Sequence, residues 1–155
     1  MRILILNNVR SSENVGSLLR TADAFNIDTV YLCGYTPTPI DRFGRSNTKV
    51  TKAALGAESS VVWQSVPDVL ECCATLRREN TGLVLIALEQ DKRSVPLSTY
   101  MAPVSWALVV GNEVEGVEQG VIDMADVVVE IPMQGAKESL NVAVSGGIAL
   151  YHLST

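Results

Sequence analysis

Three short runs in this sequence hold residue types that could do chemistry together. The first is Asn14-Val-Gly16-Ser-Leu-Leu-Arg20, at the start of an amphipathic helix. Gly16 would let a partner approach closely there, where free N–H groups and the helix dipole favour an anion such as phosphate. Arg20 falls between Leu19 and Thr21, off the apolar stripe, so its guanidinium can project into a site. In the second, Leu108-Val-Val-Gly111-Asn112-Glu113-Val-Glu115-Gly116-Val117, an apolar strand runs into a glycine-bounded polar loop. Gly111 would admit a flat ring or a backbone edge, and Asn112 and Glu113 offer an amide and a carboxylate. The third runs from Ile131-Pro-Met133 through Lys137 to Ser139-Leu140-Asn141 and into a closing helix. Ser139 is expected to cap that helix, with Asn141 in its first turn. Taken singly, each run has an ordinary reading: a surface arginine, an acidic turn, a capping serine.

The other reactive residue types narrow the field. His152, the only histidine, sits beside the C-terminus, which excludes a histidine-based triad and leaves no zinc site. Cys33, Cys72 and Cys73 are an odd count without metal-ligand spacing, and read as reduced, partly buried thiols, the last two on different sides of a helix. No metal is expected. The net charge of −5 argues against a protein that coats nucleic acid non-specifically. Charge is unevenly spread, however. Arg42, Arg45, Lys49 and Lys52 lie in a stretch free of carboxylates, and Arg10 and Lys137 are expected to join them near the site.

The positioning elements follow from periodicity. Arg2–Leu6, Thr29–Cys33, Ser60–Trp63, Leu83–Leu88, Trp106–Val110 and Val127–Ile131 read as strands, several of them continuous apolar runs. Val15, Leu18, Leu19, Ala22 and Phe25 mark a helix with cap candidates at Ser11, Ser12 and Asn14. Further helices are expected around Thr48–Leu55, from Pro67 in a first turn to Arg78, and from Ser139 to Leu153. This alternation predicts an α/β fold: one domain over 1–155, a mostly parallel sheet with helices on both faces. Ligands gather at strand carboxyl ends in such sheets, which singles out the loops after Leu6, Val110 and Ile131. At 155 residues and 47% hydrophobic, the chain suffices for one core. With no apolar run near ~20 residues and no signal-peptide pattern, a cytoplasmic location is expected.

In this order, Asn14…Gly16…Arg20-Thr-Ala…Ala-Phe25, Gly111-Asn112-Glu113…Gly116-Val117 and Ile131-Pro-Met…Gly135…Ser139-Leu-Asn141-Val resemble the three motifs of the SpoU/TrmH family of SPOUT methyltransferases. Lys52-Ala-Ala-Leu-Gly-Ala-Glu58 is similar to a stretch that family carries between its first two motifs. The resemblance implies a C-terminal deep trefoil knot over about 106–155, an exception to the rule that chains avoid threading. It implies S-adenosylmethionine as cofactor, leaving as S-adenosylhomocysteine and bound around Leu88, Gly111, Ile131, Met133 and Leu140. It also implies a homodimer packed through the first and last helices, with Arg20 serving either its own or its partner's site.

The implied reaction is methyl transfer to a ribose 2′-hydroxyl of RNA. A guanidinium is a poor base at neutral pH, so Arg20 is expected to fix phosphate and stabilise developing oxyanion charge. Asn14 and Glu113 would orient Arg20 and the ribose, while Ser139 and Asn141 would position substrate and hold their loop. Without an added N-terminal RNA-binding domain, recognition is expected of the dimer's catalytic surface, with tRNA favoured over rRNA. A nucleotide-binding α/β module lacks its glycine-rich fingerprint here. A catalytically silent RNA-binding homologue would not need Arg20, Glu113, Ser139 and Asn141.

Overall fold

The computed structural model describes residues 1–155. In chain order the elements are β1 (Arg2–Asn7), α1 (Ser12–Ala24), β2 (Thr29–Cys33), α2 (Thr48–Ala54), α3 (Ala57–Ser60), β3 (Trp63–Val66), α4 (Val69–Glu79), β4 (Val84–Leu88), β5 (Val95–Pro96), β6 (Trp106–Val110), α5 (Gln119–Met124), β7 (Val127–Glu130) and α6 (Val142–Ser154). The strands form one seven-stranded sheet in the order β3-β2-β1-β6-β4-β7-β5. Every neighbouring pair is parallel. Parallel neighbours need crossover connections, and those helices cover both faces. Hence β6, set between β1 and β4, is buried from Trp106 to Val110.

The alternation of β side chains divides the core into two layers. Leu4 and Leu6 of β1 face the layer shared with Leu18, Leu19, Leu108 and Leu150, under α1, α2 and α6. Ile3 and Ile5 face the opposite layer, with Cys73, Leu76, Val109 and Val121 under α4 and α5. All three cysteines are free thiols, and they lie together in this second layer, fully rather than partly buried. Burial pushes the Cys73 thiol up to about 12, which keeps it protonated at neutral pH.

Three boundaries differ from the sequence expectation. Gly56, at φ +94°, begins a further helical turn over Ala57–Ser60, so the third strand starts at Trp63, where it pairs with Val30. Asp68 caps α4 through the N–H groups of Leu70 and Glu71, which leaves Pro67 just outside the helix. Asn141 caps α6, accepting from Ala143 and Val144 N–H, so the helix starts at Val142 and Ser139 caps nothing. Two short features, β5 and the 3-10 turn Leu97–Thr99, carry too few residues for a periodic signal.

Gly16 permits a close approach, but by protein rather than by an anion. A Cβ there would strike the Val50 carbonyl and Ala53 Cβ of α2. The missing side chain is what lets α1 and α2 pack backbone to backbone. Gly16→Ala is therefore expected to destabilise the fold by about 1–2 kcal/mol, overpacking outweighing the gain in helix propensity. A urea midpoint equal to or above that of the wild type would contradict this packing role.

Candidate active site

The carboxyl ends of β4, β6 and β7 open into a cavity of about 440 Å³. Its apolar wall includes Leu88, Val110, Ile131, Met133, Leu140 and Val142, and its polar groups include Glu89, Gln90, Asn112, Glu113 and Ser139. Its lining is mixed, with acidic and amide groups interleaved among the apolar side chains, and its volume lies in the range of about 300–1,000 Å³ that small organic ligands occupy. The five positions singled out for cofactor contact, Leu88, Gly111, Ile131, Met133 and Leu140, all lie on this wall.

The rim after β6 is a loop folded back upon itself. Asn112 and Gly116 exchange backbone hydrogen bonds of 2.9 Å each way. A Cβ on Gly111 would collide with the Gly116–Val117 backbone, so only glycine fits. The Asn112 side chain, 7% exposed, accepts from Val114 and Glu115 N–H at 2.8 Å and donates to the Asn8 carbonyl and Tyr35 Oη at 2.9 Å. From β4, Glu89 braces the same loop by accepting from Val117 N–H at 2.9 Å, and Gln90 donates to the Glu138 carbonyl at 2.8 Å. Asn7 and Glu118 exchange two further bonds of 3.0 Å.

One hydrogen-bond chain joins all three motifs. Glu113 accepts from Arg10 and Ser11 N–H at 2.9 and 3.0 Å, just ahead of α1. Its carboxylate therefore occupies the place where the sequence suggested a bound anion. The Asn14 amide donates to Glu113 at 3.1 Å and accepts from Asn141 Nδ2 at 3.1 Å, while Asn141 caps α6. Asn14, Glu113 and Asn141 thus form one network, and Glu113 and Ser139 face the cavity. Ser139 is exposed and makes no side-chain hydrogen bond.

Arg20 stands apart from these residues. It is exposed on α1, ~9 Å along the helix axis from Asn14, beside a separate depression formed by Ser17, Thr21, Ala24, Phe25 and Ala53. Neither Asn14 nor Glu113 makes a hydrogen bond to it within this chain, so an orienting role for these two would have to act across subunits. Arg10, Arg42, Arg45, Lys49, Lys52 and Lys137 are all exposed. Arg45 is paired with Asp41, one residue outside the carboxylate-free stretch, at 2.9 Å. Glu89, Gln90 and Tyr35 escaped the sequence reading. Applying the strand-end rule to Leu88, and not only to Leu6, would have found the first two.

The family model described as the SpoU rRNA Methylase family matches residues 1–151. The chain belongs to the SpoU family. It is 35% identical over 149 residues to the 23S rRNA (guanosine-2′-O-)-methyltransferase RlmB of Salmonella typhi, covering 96% of this chain and 58% of the relative. It is 32% identical over 154 residues to the 23S rRNA (guanosine(2553)-2′-O)-methyltransferase RlmP of Bacillus subtilis strain 168, covering 98% and 57%. The chain therefore spans little more than half the length of these relatives. A solved structure described as giving insight into 2-OH methylation of C/U34 on tRNA superimposes with a TM-score of 0.82 at 25% identity, covering 99% of this chain and 93% of that one.

Glu113 also links the site to stability. Burial opposes its ionisation, but the N–H groups of Arg10 and Ser11 and the Asn14 amide outweigh burial and hold its carboxyl below the ordinary value. A pKa lower in the folded than in the unfolded state stabilises the fold above the carboxylate range, and that stability is lost as pH falls through the depressed value. Glu113→Gln is expected to lower the urea midpoint at pH 7 by the equivalent of under about 1 kcal/mol, because solvent screens this exposed group. The difference should close as the medium is acidified below pH ~4. A difference that persists unchanged in acid would show that the charge is not its source.

Proposed function

We propose that this SpoU-family protein is an S-adenosylmethionine-dependent methyltransferase acting on a ribose 2′-hydroxyl of RNA. The observation that carries the reading is the Glu113–Asn14–Asn141 chain, which ties all three motifs to one cavity at the strand ends. Leu88, Ile131, Met133 and Leu140 would hold the cofactor's apolar parts, with Gly111 leaving room for a close backbone edge. When bound, S-adenosylmethionine supplies a methyl group activated as part of a sulfonium. Ser139, unpaired at the mouth, is free to bind the incoming ribose. The same reading carries a threaded C-terminal segment over about 106–155.

Arg20 lies outside the cavity of its own chain, which favours a homodimer in which it reaches the partner's site. The apolar face of α6 supports that arrangement: Val144, Ile148 and Tyr151 repeat at i, i+4 and i+7 and are 51%, 43% and 60% exposed. The Tyr151 ring also packs on Phe25 of α1, 5.9 Å between centroids, so this face continues towards Arg20. There the guanidinium would fix a phosphate and stabilise charge developing on the attacking oxygen. The proton then leaves through phosphate or water, because arginine remains protonated.

The names of the 32–35% identical relatives favour rRNA as acceptor. A tRNA acceptor, the first expectation, has one specific observation on its side: the structure concerned with tRNA matches this chain over nearly its whole length. No helix is long and apolar enough to cross a membrane, and an RNA substrate agrees with a cytoplasmic site of action.

Tritiated methyl transfer to separated tRNA and 23S rRNA, followed by nucleoside mass spectrometry, tests the assignment. A 2′-O-methyl nucleoside is expected in one fraction, and no label in either would overturn it. Arg20→Ala should reduce turnover by at least ~100-fold while leaving cofactor affinity by titration calorimetry unchanged. Near-normal turnover would remove Arg20 from the mechanism. Ile148→Asp should convert a dimer to a monomer in light scattering, and a variant that stays dimeric would exclude this face.

A further inference from the structure

The loop between β2 and α2 rises from the candidate site on two fixed feet. At its start, Tyr35 N–H donates to Asn8 Oδ1 at 3.1 Å, and Tyr35 Oη accepts from Asn112 at the cavity rim. At its end, Asn47 donates to Ser12 Oγ at 3.3 Å, next to the Glu113-bound start of α1. Between the feet, Asp41 Oδ1 accepts from Phe43 and Arg45 N–H at 2.8 and 2.9 Å, and Ile40 bridges Ser46. This bracing holds Phe43 at the tip, where its ring is 67% exposed and belongs to neither core layer. The Arg42 and Arg45 guanidiniums lie 4.8 and 5.0 Å from the ring centroid. Arg45 is committed to Asp41, whereas Arg42 has no ion-pair partner.

We propose that this loop is a base-stacking platform: Phe43 stacks on an unpaired nucleobase flanking the nucleotide at the site, while Arg42 swings off the ring to a neighbouring phosphate. The inference rests on the RNA methyltransferase reading and extends it to how the RNA is gripped. A phenyl ring has no polar tip to satisfy in water, so presenting it on a braced loop gains nothing from solvent. An aromatic face ringed by cations matches the two parts of a single-stranded nucleotide, a flat base and an anionic backbone. Lys49 and Lys52 extend the same positive surface along α2. The target is therefore a loop or bulge with splayed bases rather than a continuous duplex.

Affinity of the full chain for oligouridine and for an abasic ribose-phosphate oligomer of equal length tests this directly. Wild-type protein should prefer the base-bearing oligomer. Phe43→Leu should weaken binding to that oligomer by about tenfold, leave the abasic oligomer and the salt dependence unchanged, and leave cofactor binding intact. Phe43→Trp should restore the preference. Phe43→Leu affinity within about twofold of wild type, or an equal loss on both oligomers, would overturn the proposal. If the wild type methylates RNA and Phe43→Leu still binds normally, only the platform fails. If the wild type neither binds nor methylates any RNA, the functional reading falls and the platform with it.

Discussion

The Glu113 carboxylate at the start of α1 is the interaction on which the rest of the site depends. It accepts two backbone N–H groups that precede the helix and the Asn14 amide within it. A helix start offers unpaired donors and a positive dipole end, so a fixed anion there is stabilised without a cation. Asn14 then passes the constraint to Asn141, whose side chain caps α6. The beginnings of two helices and the loop after β6 are thereby set relative to one another by side chains rather than by the sheet.

That constraint explains why the cavity lies where it does. β4, β6 and β7 are adjacent in the sheet, and the loops leaving them share one wall. Glu89 holds the β6 loop from the β4 side, while Glu113 holds it from the α1 side. The loop is also rigid internally, because Asn112 satisfies two of its N–H groups and Gly111 allows the chain to fold upon itself. A cofactor would thus meet walls already in place, which lowers the ordering cost of binding.

Arg20 illustrates a different kind of organisation. The same helix start that delivers Asn14 to the network leaves Arg20 on an exposed face, next to the ring pair Phe25–Tyr151 and the apolar side of α6. A site completed by a second copy of the chain would couple methyl transfer to assembly. It would also place the RNA across both subunits.

Periodicity made the α/β class, the parallel sheet and both long helices on its α1 and α6 side legible in the sequence, because it reports which faces are buried. The five cavity-wall positions came from the family resemblance that the three ordered motifs carry. The sequence placed the cap of α6 at Ser139 instead of Asn141, because both are good capping types and the choice depends on where the backbone turns. Nor could it tell that Gly16 receives α2 rather than an anion, or that Asp41, just outside a basic run, neutralises Arg45. Glu89 meets Val117 across 28 residues of chain, and Asn112 meets Tyr35 across 77. Local residue types determined the elements and the chemistry available to them. Which donor meets which acceptor was decided by the tertiary fold, because hydrogen bonds act over about 3 Å and depend on where distant backbone segments come together.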